Sequence, residues 1–195
     1  MARTTGSHSE ITGPRVRTAA LKLFADQGYV AVSMRQLAAE VGVQAGALYL
    51  YSPDKQTLLF GLMQDHLAAM LADWAALPKP KGAVAAFEAF VRFHIRYELD
   101  NPAAVRLCAL EYRSLSPENR TAFDALRDSY EAALEKILRK GQGEKLFTFA
   151  DPRIATKALM AMLTGIGHWY VEDGKLARDR VERIFWNMAR KSVGA

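Results

Sequence analysis

The apolar positions of this chain recur every three or four residues, as they do along one face of an α-helix. The first stripe begins after Thr12-Gly13-Pro14 and ends at Gly28. A second stripe follows Ser33, a typical helix N-cap, and ends at Gly42, a residue type that often terminates helices. A third short segment covers residues 44–51. The pattern therefore predicts three helices in close succession near the N-terminus.

Longer helical segments fill the rest of the chain, and proline or glycine marks nearly all of the breaks between them. They are predicted at residues 55–76, 83–100, 102–114, 117–140, 152–172 and 176–192. No convincing series of strands is present. We expect an all-α fold of about nine helices, with a three-helix domain at residues 1–55 and a larger helical domain at residues 56–195.

The composition is that of an ordinary globular chain, with 50% hydrophobic and 24% charged residues among 195. The uncharged stretch at residues 158–171 is shorter than the roughly 18 residues that a membrane-spanning helix needs. The polar N-terminus shows no signal peptide, so we expect a cytoplasmic protein that does not bind membranes. Because Cys108 is the single cysteine, a multi-cysteine metal site is excluded, and neither a metal nor a cofactor is expected. The net charge of +5 permits a polyanionic partner without identifying one.

Two short helices joined by a glycine-containing turn, with longer helices before and after, form a helix-turn-helix pattern. The third helix would enter the major groove of double-stranded DNA, where its small side chains allow close approach to the base edges. Gln44 can pair with adenine, and alanine or tyrosine carbon atoms can touch a thymine methyl group. Ser33, the tyrosine hydroxyls and Lys55 are placed to meet phosphates. The predicted DNA-binding residues are Ser33, Arg35, Gln44, Ala45, Ala47, Tyr49, Tyr51 and Lys55.

Residues 12–60 resemble the N-terminal domain of TetR-type transcriptional repressors. The resemblance rests on Phe24-Ala25-Asp26-Gln27-Gly28-Tyr29, Val32-Ser33-Met34-Arg35-Gln36-Leu37-Ala38, Val41-Gly42-Val43, and Gly46-Ala47-Leu48-Tyr49 followed by Lys55-Gln56-Thr57-Leu58. It implies an all-helical homodimer that places its N-terminal domains in successive major grooves and holds a small-molecule inducer in its C-terminal domain. Three residues depart from the family pattern: Ser52 replaces the usual phenylalanine, Ala45 a polar or basic residue, and Leu50 a polar or aromatic residue.

Parts of the C-terminal region resemble an acyl-CoA-responsive branch of the same family. These parts are residues 111–120, Trp169-Tyr170 and residues 173–176. The resemblance implies that the effector is a fatty acyl-CoA or another acyl-CoA thioester and that the controlled genes concern lipid breakdown.

An apolar and aromatic set on several C-terminal helices is the predicted effector site, because small-molecule sites are mostly apolar with few polar groups. Arg113 is the candidate partner for an anionic head group. The predicted effector-binding residues are Phe87, Phe90, His94, Tyr97, Arg113, Tyr130, Leu134, Met160, Leu163, Thr164 and Gly167. Alternatively, the predicted residues from Phe87 to Tyr97 are ordinary core, Met160 fills a gap in the core, and Arg113 pairs with a nearby carboxylate.

The last two helical segments are candidates for a subunit interface. The segment at residues 152–172 is apolar nearly all round, and the segment at residues 176–192 has an apolar stripe with basic residues opposite. Pairing both with their symmetry mates would give a four-helix interface in a homodimer. The predicted interface residues are Leu159, Ile166, Trp169, Val181, Ile184, Phe185 and Met188.

The sequence favours a ligand-responsive repressor that binds operator DNA as a dimer and is released by a hydrophobic small molecule. An enzyme is not expected, because the chain lacks G-x-S-x-G, H-E-x-x-H and P-loop motifs. A helical small-molecule carrier or adaptor without DNA binding is the alternative. Salt dependence distinguishes the two, since counterions are released when a protein neutralises DNA phosphates.

Overall fold

Helices form all the regular secondary structure of the described residues. A computed structural model of the chain describes residues 5–171, 174 and 176–195, with the backbone alone described at 5–11 and at 168. The α-helices are α1 (Thr5–Gln27), α2 (Met34–Val41), α3 (Ala45–Leu48), α4 (Lys55–Ala76), α5 (Ala83–Asp100), α6 (Pro102–Glu111), α7 (Pro117–Gly143), α8 (Pro152–Thr164) and α9 (Arg178–Ser192). Single 3-10 turns follow α6 at Tyr112–Ser114 and α8 at Gly165–His168. The predicted all-α fold class is confirmed.

Helix ends agree with the sequence pattern where proline or a capping residue marks them. α4 and α5 have the predicted bounds, and α6, α7 and α8 each begin at a proline, which suits the first helical turn because its missing N–H is not needed there. The predicted start of the first helix is wrong: α1 begins at Thr5 and contains Pro14 in its interior. A proline removes one interior hydrogen bond but does not prevent helix formation on its N-terminal side when the surroundings favour it.

The chain divides into two units, and the predicted domain boundary after residue 55 stays a prediction. The first unit comprises Met1–Leu67 and Ala103–Asp124, and the second comprises Ala68–Pro102 and Ala125–Ala195. In the first unit α1 packs against α2, and α2 packs against α3. Apolar side chains from all three helices fill its core, among them Val16, Phe24, Leu37, Val41 and Leu48.

A capping box and a left-handed glycine determine where α2 begins and ends. The backbone N–H of Ser33 donates to Gln36 Oε1 at 2.8 Å, and the backbone N–H of Gln36 donates to Ser33 Oγ at 3.2 Å. This reciprocal pair satisfies backbone donors that the first helical turn would otherwise leave free. At the other end Gly42 has φ of 78°, which glycine adopts without the steric cost that a Cβ brings. The chain therefore turns directly from α2 into α3.

In the second unit α5 packs against α8, the 3-10 turn after α8, and α9. Phe87 on α5 makes edge-to-face ring contacts with Phe147, at 5.6 Å between centroids, and with Trp186 on α9, at 5.4 Å. Gly141 lies under the Phe147 ring and is buried. The sequence pattern ended this helix at residue 140, but α7 continues to Gly143. The glycine is needed there for close packing, while the helix ends a few residues later.

The imidazole of His66, on α4 in the first unit, couples folding to pH. Burial lowers the pKa of His66 from 6.5 to about 4. Between these two values the unfolded chain binds a proton that the folded chain does not, so stability falls as pH decreases through this range. Between pH 7 and pH 4, we expect the free energy of unfolding of wild-type protein to fall by roughly 3 kcal/mol more than that of His66→Gln, because of the size of the pKa difference. Urea unfolding of both proteins at the two pH values measures this, and equal losses would contradict it.

Candidate DNA-binding surface and effector site

The segment around α3 is displayed outward and held by one buried side chain. Leu48 is 0% exposed, whereas Tyr49 is 53% and Leu50 82% exposed. Gln44, Ala45 and Gly46 are exposed as well, and Ala47 is partly buried. Because Ala45, Gly46 and Ala47 have small side chains or none, and the whole segment is uncharged, its backbone can approach another molecule closely without burying a charge.

α3 is shorter than the sequence predicted. The predicted segment 44–51 contains a helix only from Ala45 to Leu48, with Gln44 as its N-cap and Tyr49 as its C-cap. The carbonyl of Leu48 accepts hydrogen bonds from the backbone N–H groups of Tyr51, at 3.0 Å, and Ser52, at 3.1 Å. These contacts close a turn after the helix. Gln44 makes no side-chain capping bond, so its amide group remains available at the exposed start of α3.

Lys55 stabilises the loop between α1 and α2. Its ammonium group donates to the carbonyl of Tyr29 at 2.7 Å and to that of Val32 at 2.9 Å, and it lies 4.1 Å from the centroid of the Tyr29 ring. An ammonium group has three donors, so one is left for a phosphate oxygen. The sequence did not reveal this loop-holding role. Among the other predicted DNA-binding residues, Ser33 and Arg35 are exposed and Tyr51 is partly buried.

Glu111 and Gln56 connect the loop after α1 with the end of α6. The buried carboxylate of Glu111 accepts hydrogen bonds from the backbone N–H of Tyr29 at 2.9 Å and from the hydroxyl of Ser114 at 2.6 Å. The amide group of Gln56 donates to the Tyr29 hydroxyl at 3.2 Å and to the carbonyl of Ser114 at 2.9 Å, and accepts from the N–H of Ser116 at 3.0 Å. Desolvation raises the pKa of Tyr29, which keeps its hydroxyl neutral. All of these residues belong to the first unit.

Residues 111–120, which resemble an acyl-CoA-responsive branch of the family, include several of the residues that form the hydrogen bonds with Glu111 and Gln56. Residues 111–120 lie within the first unit, where Asn119 also donates to Gln56 Oε1 at 3.3 Å. Arg113 is exposed and belongs to the first unit, whereas the other predicted effector residues belong to the second. Residues 173 and 175 of the same resemblance lie outside the described residues.

α5, α7 and α8 bring four of the predicted effector residues together in the second unit. The ring of Tyr130 lies 5.1 Å from that of Phe90 and 5.7 Å from that of His94. His94 Nδ1 is 3.2 Å from the Tyr130 hydroxyl, and His94 Nε2 is 3.2 Å from Thr164 Oγ1. We call Phe90, His94, Tyr130 and Thr164 the His94 cluster. Burial raises the pKa of Tyr130, so its hydroxyl is a neutral hydrogen-bonding group.

The remaining predicted effector residues differ in their surroundings. Leu134, Met160 and Leu163 are buried apolar residues on α7 and α8, and Gly167 is partly buried in the following 3-10 turn. Tyr97 is partly buried, with its ring 5.7 Å from that of Phe93. Phe87 is fully buried, and its ring contacts are with Phe147 and Trp186.

Glu98 is a candidate effector residue that sequence analysis did not select. It lies one helical turn after His94 on α5, and its side chain is 5% exposed. Oε1 is 3.9 Å from His94 Nε2, and Oε2 is buried without a hydrogen-bond partner. Burial raises the pKa of this carboxyl group from 4.5 to about 8. The signal in the sequence was an acidic residue on the apolar stripe of an amphipathic helix, where solvent cannot satisfy it.

The predicted interface residues fall into a buried and an exposed group. Leu159, Ile166 and Val181 are buried inside the chain. Trp169 and Met188 are each 48% exposed, Ile184 is 42% exposed, and the Phe185 ring stacks on that of Trp169 at 6.1 Å. Also on α9, the buried carboxylate of Glu182 accepts two hydrogen bonds of 2.8 Å from Arg96. This bidentate pair holds α9 against α5 in one orientation.

The described part of the chain shows neither a metal-binding cluster nor a membrane-spanning helix. His, Cys, Asp and Glu side chains of the described ranges do not gather in a group of three or more that could hold a metal ion. Among the same residues, no helix combines the length and apolar character needed to cross a bilayer.

Comparisons with known proteins agree over both halves of the chain. Residues 16–62 match the family of bacterial regulatory proteins called the tetR family, and residues 80–193 match the tetracyclin repressor-like C-terminal domain. PfmR of Thermus thermophilus, a TetR family transcriptional regulator, is 30% identical with a TM-score of 0.83, and the alignment covers 91% of this chain and 97% of that chain. AibR in complex with isovaleryl coenzyme A and operator DNA is 22% identical with a TM-score of 0.81, and covers the same shares. The transcriptional regulator RutR of Escherichia coli strain K12 is 27% identical over 118 residues, which are 59% of this chain and 56% of RutR.

Proposed function

We propose that this chain, which belongs to the TetR family of bacterial transcriptional regulators, represses transcription by binding operator DNA as a homodimer. In this proposal an apolar small molecule binds the second unit and releases the DNA. The match to RutR covers little more than half of that regulator, so its activity is not transferred to this chain. The proposal rests instead on the surfaces and contacts of the described residues.

The outward display of the uncharged α3 segment is the observation that carries the DNA-binding proposal. Gln44 and Ala45 are exposed at the start of α3, and only Leu48 anchors the segment in the core. A helix of this size fits the major groove, which is about 12 Å wide, and glutamine can pair with both groups on the adenine edge. Ser33, Arg35, Tyr49, Tyr51 and the third donor of Lys55 would bind the phosphates on either side.

A homodimer is proposed because α9 and the turn after α8 leave aromatic and aliphatic side chains exposed. Trp169, Ile184 and Met188 are exposed on this face, and Phe185 is partly buried beside Trp169. The three buried members of the predicted set would support the face from inside. Two copies related by a two-fold axis would bury the same face on each subunit. Such a dimer would read two half-sites roughly 34 to 36 Å apart, which is one turn of B-form DNA.

The effector site is proposed at the His94 cluster, where aromatic rings surround a few hydrogen-bonding groups. Sites of this composition suit apolar ligands with a small number of polar atoms. The AibR structure contains isovaleryl coenzyme A and shares the fold of this chain, which supports an acyl-CoA as the effector to test first. The side chains of the cluster pack against one another, so an effector must separate them. It releases DNA only if it binds more tightly to the conformation that does not fit the operator.

Operator selection with purified protein tests the DNA-binding proposal. Wild-type protein should enrich one two-fold symmetric sequence from a random DNA pool, and its affinity should fall steeply as salt concentration rises. Gln44→Ala should lose about 1–3 kcal/mol of discrimination at one base pair of each half-site. Fluorescence anisotropy with single-base variants of the selected operator measures the change. Sedimentation of the complex should give two chains for each operator.

Gln64→Ala is the matched control, since Gln64 is an exposed glutamine on α4 of the same unit. It should keep the wild-type preference at every base pair. If Gln44→Ala lowers the affinity for all operator sequences equally or has no effect, the proposed contact between Gln44 and a base is wrong. If wild-type protein binds no DNA at any salt concentration, a small-molecule carrier or adaptor is the better description.

A further inference from the structure

The carboxyl group of Glu98 is buried next to the His94 cluster, and one of its oxygens has no partner. The residue is 4% exposed, its Oε1 is too far from His94 for a hydrogen bond at 3.9 Å, and its Oε2 is fully enclosed. Buried polar atoms in folded proteins nearly always have a hydrogen-bond partner, so an unpaired oxygen beside a candidate ligand site requires an explanation. Glu98, His94, Tyr130 and Thr164 all belong to the second unit.

The hydrogen-bond partners of His94 fit a neutral ring. Both ring nitrogens lie 3.2 Å from a hydroxyl oxygen, one from Tyr130 and the other from Thr164. A neutral imidazole donates from one nitrogen and accepts at the other, and a hydroxyl group can serve either of them. His94 is therefore not required to be a cation that compensates a charge on Glu98. Burial raises the pKa of Glu98 to about 8, so at neutral pH its carboxyl group is mainly protonated and has an O–H donor.

We propose that the effector carries a carbonyl group and that the protonated carboxyl group of Glu98 donates a hydrogen bond to its oxygen. This inference depends on the function proposed above, in which an apolar effector enters the His94 cluster. An apolar ester, thioester or ketone supplies an acceptor without bringing a charge into the site. A carboxylate ligand would bring a negative charge into buried apolar surroundings beside another acidic group, which is costly without a paired cation. The site therefore selects uncharged carbonyl compounds over the corresponding acids.

Two substitutions separate the donor from the shape of the side chain. Glu98→Gln keeps a hydrogen-bond donor on a side chain of nearly the same size, whereas Glu98→Leu removes the donor. The probes are methyl octanoate and octanoate, which share an acyl chain and differ in charge. Binding can be followed by tryptophan fluorescence, because the ring of Trp74 lies 5.0 Å from that of Phe90. Thermal unfolding of each variant without ligand verifies that it is folded.

Wild-type protein should bind methyl octanoate about tenfold or more tightly than octanoate, and Glu98→Leu should lose about tenfold in affinity for the ester. Glu98→Gln should stay within about threefold of wild type for the ester, since its amide group replaces the donor. An infrared difference spectrum between wild type and Glu98→Gln, recorded at neutral pH without ligand, should show the band of a protonated carboxyl group in wild type.

The proposal is overturned if Glu98→Gln loses as much ester affinity as Glu98→Leu, or if the infrared band is absent. It is also overturned if no ester binds, or if octylamine binds wild type more tightly than the ester, which would indicate an ionised carboxylate that pairs with a cation. These binding and infrared experiments are carried out without DNA, so they do not depend on operator binding. Failure of the repressor function is detected separately, by operator selection, so the two outcomes are distinguishable.

Discussion

Replacing Gly141 with alanine is expected to destabilise the second unit by about 1–3 kcal/mol or more, which is the usual cost of overpacking a core. A Cβ at this position would overlap the ring of Phe147. The ring cannot move away easily, because it is buried against Phe87 and because the backbone N–H of the next residue, Thr148, donates to the carbonyl of Val193 at 2.7 Å. Urea unfolding followed by circular dichroism measures the loss.

Gly143→Ala is the control for this substitution. Gly143 is the last residue of the same helix, and a Cβ there would meet no atom within 4 Å. The free energy of unfolding of Gly143→Ala should stay within about 0.5 kcal/mol of the wild-type value, as for most surface substitutions. Combining Gly141→Ala with Phe147→Leu should cost less than the sum of the two single losses, because the two side chains compete for one space. Equal stability of Gly141→Ala and Gly143→Ala would mean that the close contact does not matter.

Leu48→Ala is expected to destabilise the first unit by about 2–5 kcal/mol, the usual range for removing a buried leucine side chain. Leu48 is fully buried and is the sole buried residue of α3. Without it the short helix has no apolar anchor, and the exposed residues at its start lose their fixed orientation. We therefore expect operator affinity to fall by more than the loss from Gln44→Ala. Urea unfolding and anisotropy, both at a temperature where the variant is folded, measure the two effects.

Leu50→Ala provides the comparison, since Leu50 lies two residues further along the chain and is 82% exposed. Its stability should change by less than about 0.5 kcal/mol. Any effect on operator binding would then report contact with DNA and not folding. If both leucine variants are equally stable, α3 is not held by Leu48, and the proposed outward display of the α3 segment loses its basis.

Sequence reasoning succeeded where a local signal is sufficient. Proline, glycine and capping residues predicted the bounds of α4 and α5 and the first residues of α6, α7 and α8. The spacing of residues 24–58 indicated the TetR family, which the comparisons confirm. It was less successful at α1, where Pro14 is interior to the helix, and at Gly141, where a glycine was interpreted as a break. At Gly141 the packing of the Phe147 ring against Phe87, a residue far away in the sequence, overrides the local preference of glycine for a helix end.

The candidate sites depend still more on distant contacts. The sequence placed Lys55 near phosphates, and its spacing gave no sign that two carbonyl groups of the α1–α2 loop accept from its ammonium group. The sequence selected Leu159, Ile166 and Val181 for a subunit interface because apolar periodicity cannot distinguish a buried face from one that awaits a partner. Glu98 was not selected because an acidic residue on a helix is usually solvated.

The sequence by itself determined that the chain is helical, that its N-terminal part contains a helix-turn-helix, and that its apolar residues suffice for a core. Those properties follow from periodicity and from backbone preferences, which act between residues close together in the chain. Only the tertiary structure decided that Gly141 receives a phenylalanine ring, that one carboxyl oxygen of Glu98 is enclosed without a hydrogen-bond partner, and that Leu48 alone anchors α3 in the core. Burial and hydrogen bonding depend on which segments meet in space, and the linear pattern does not contain that information.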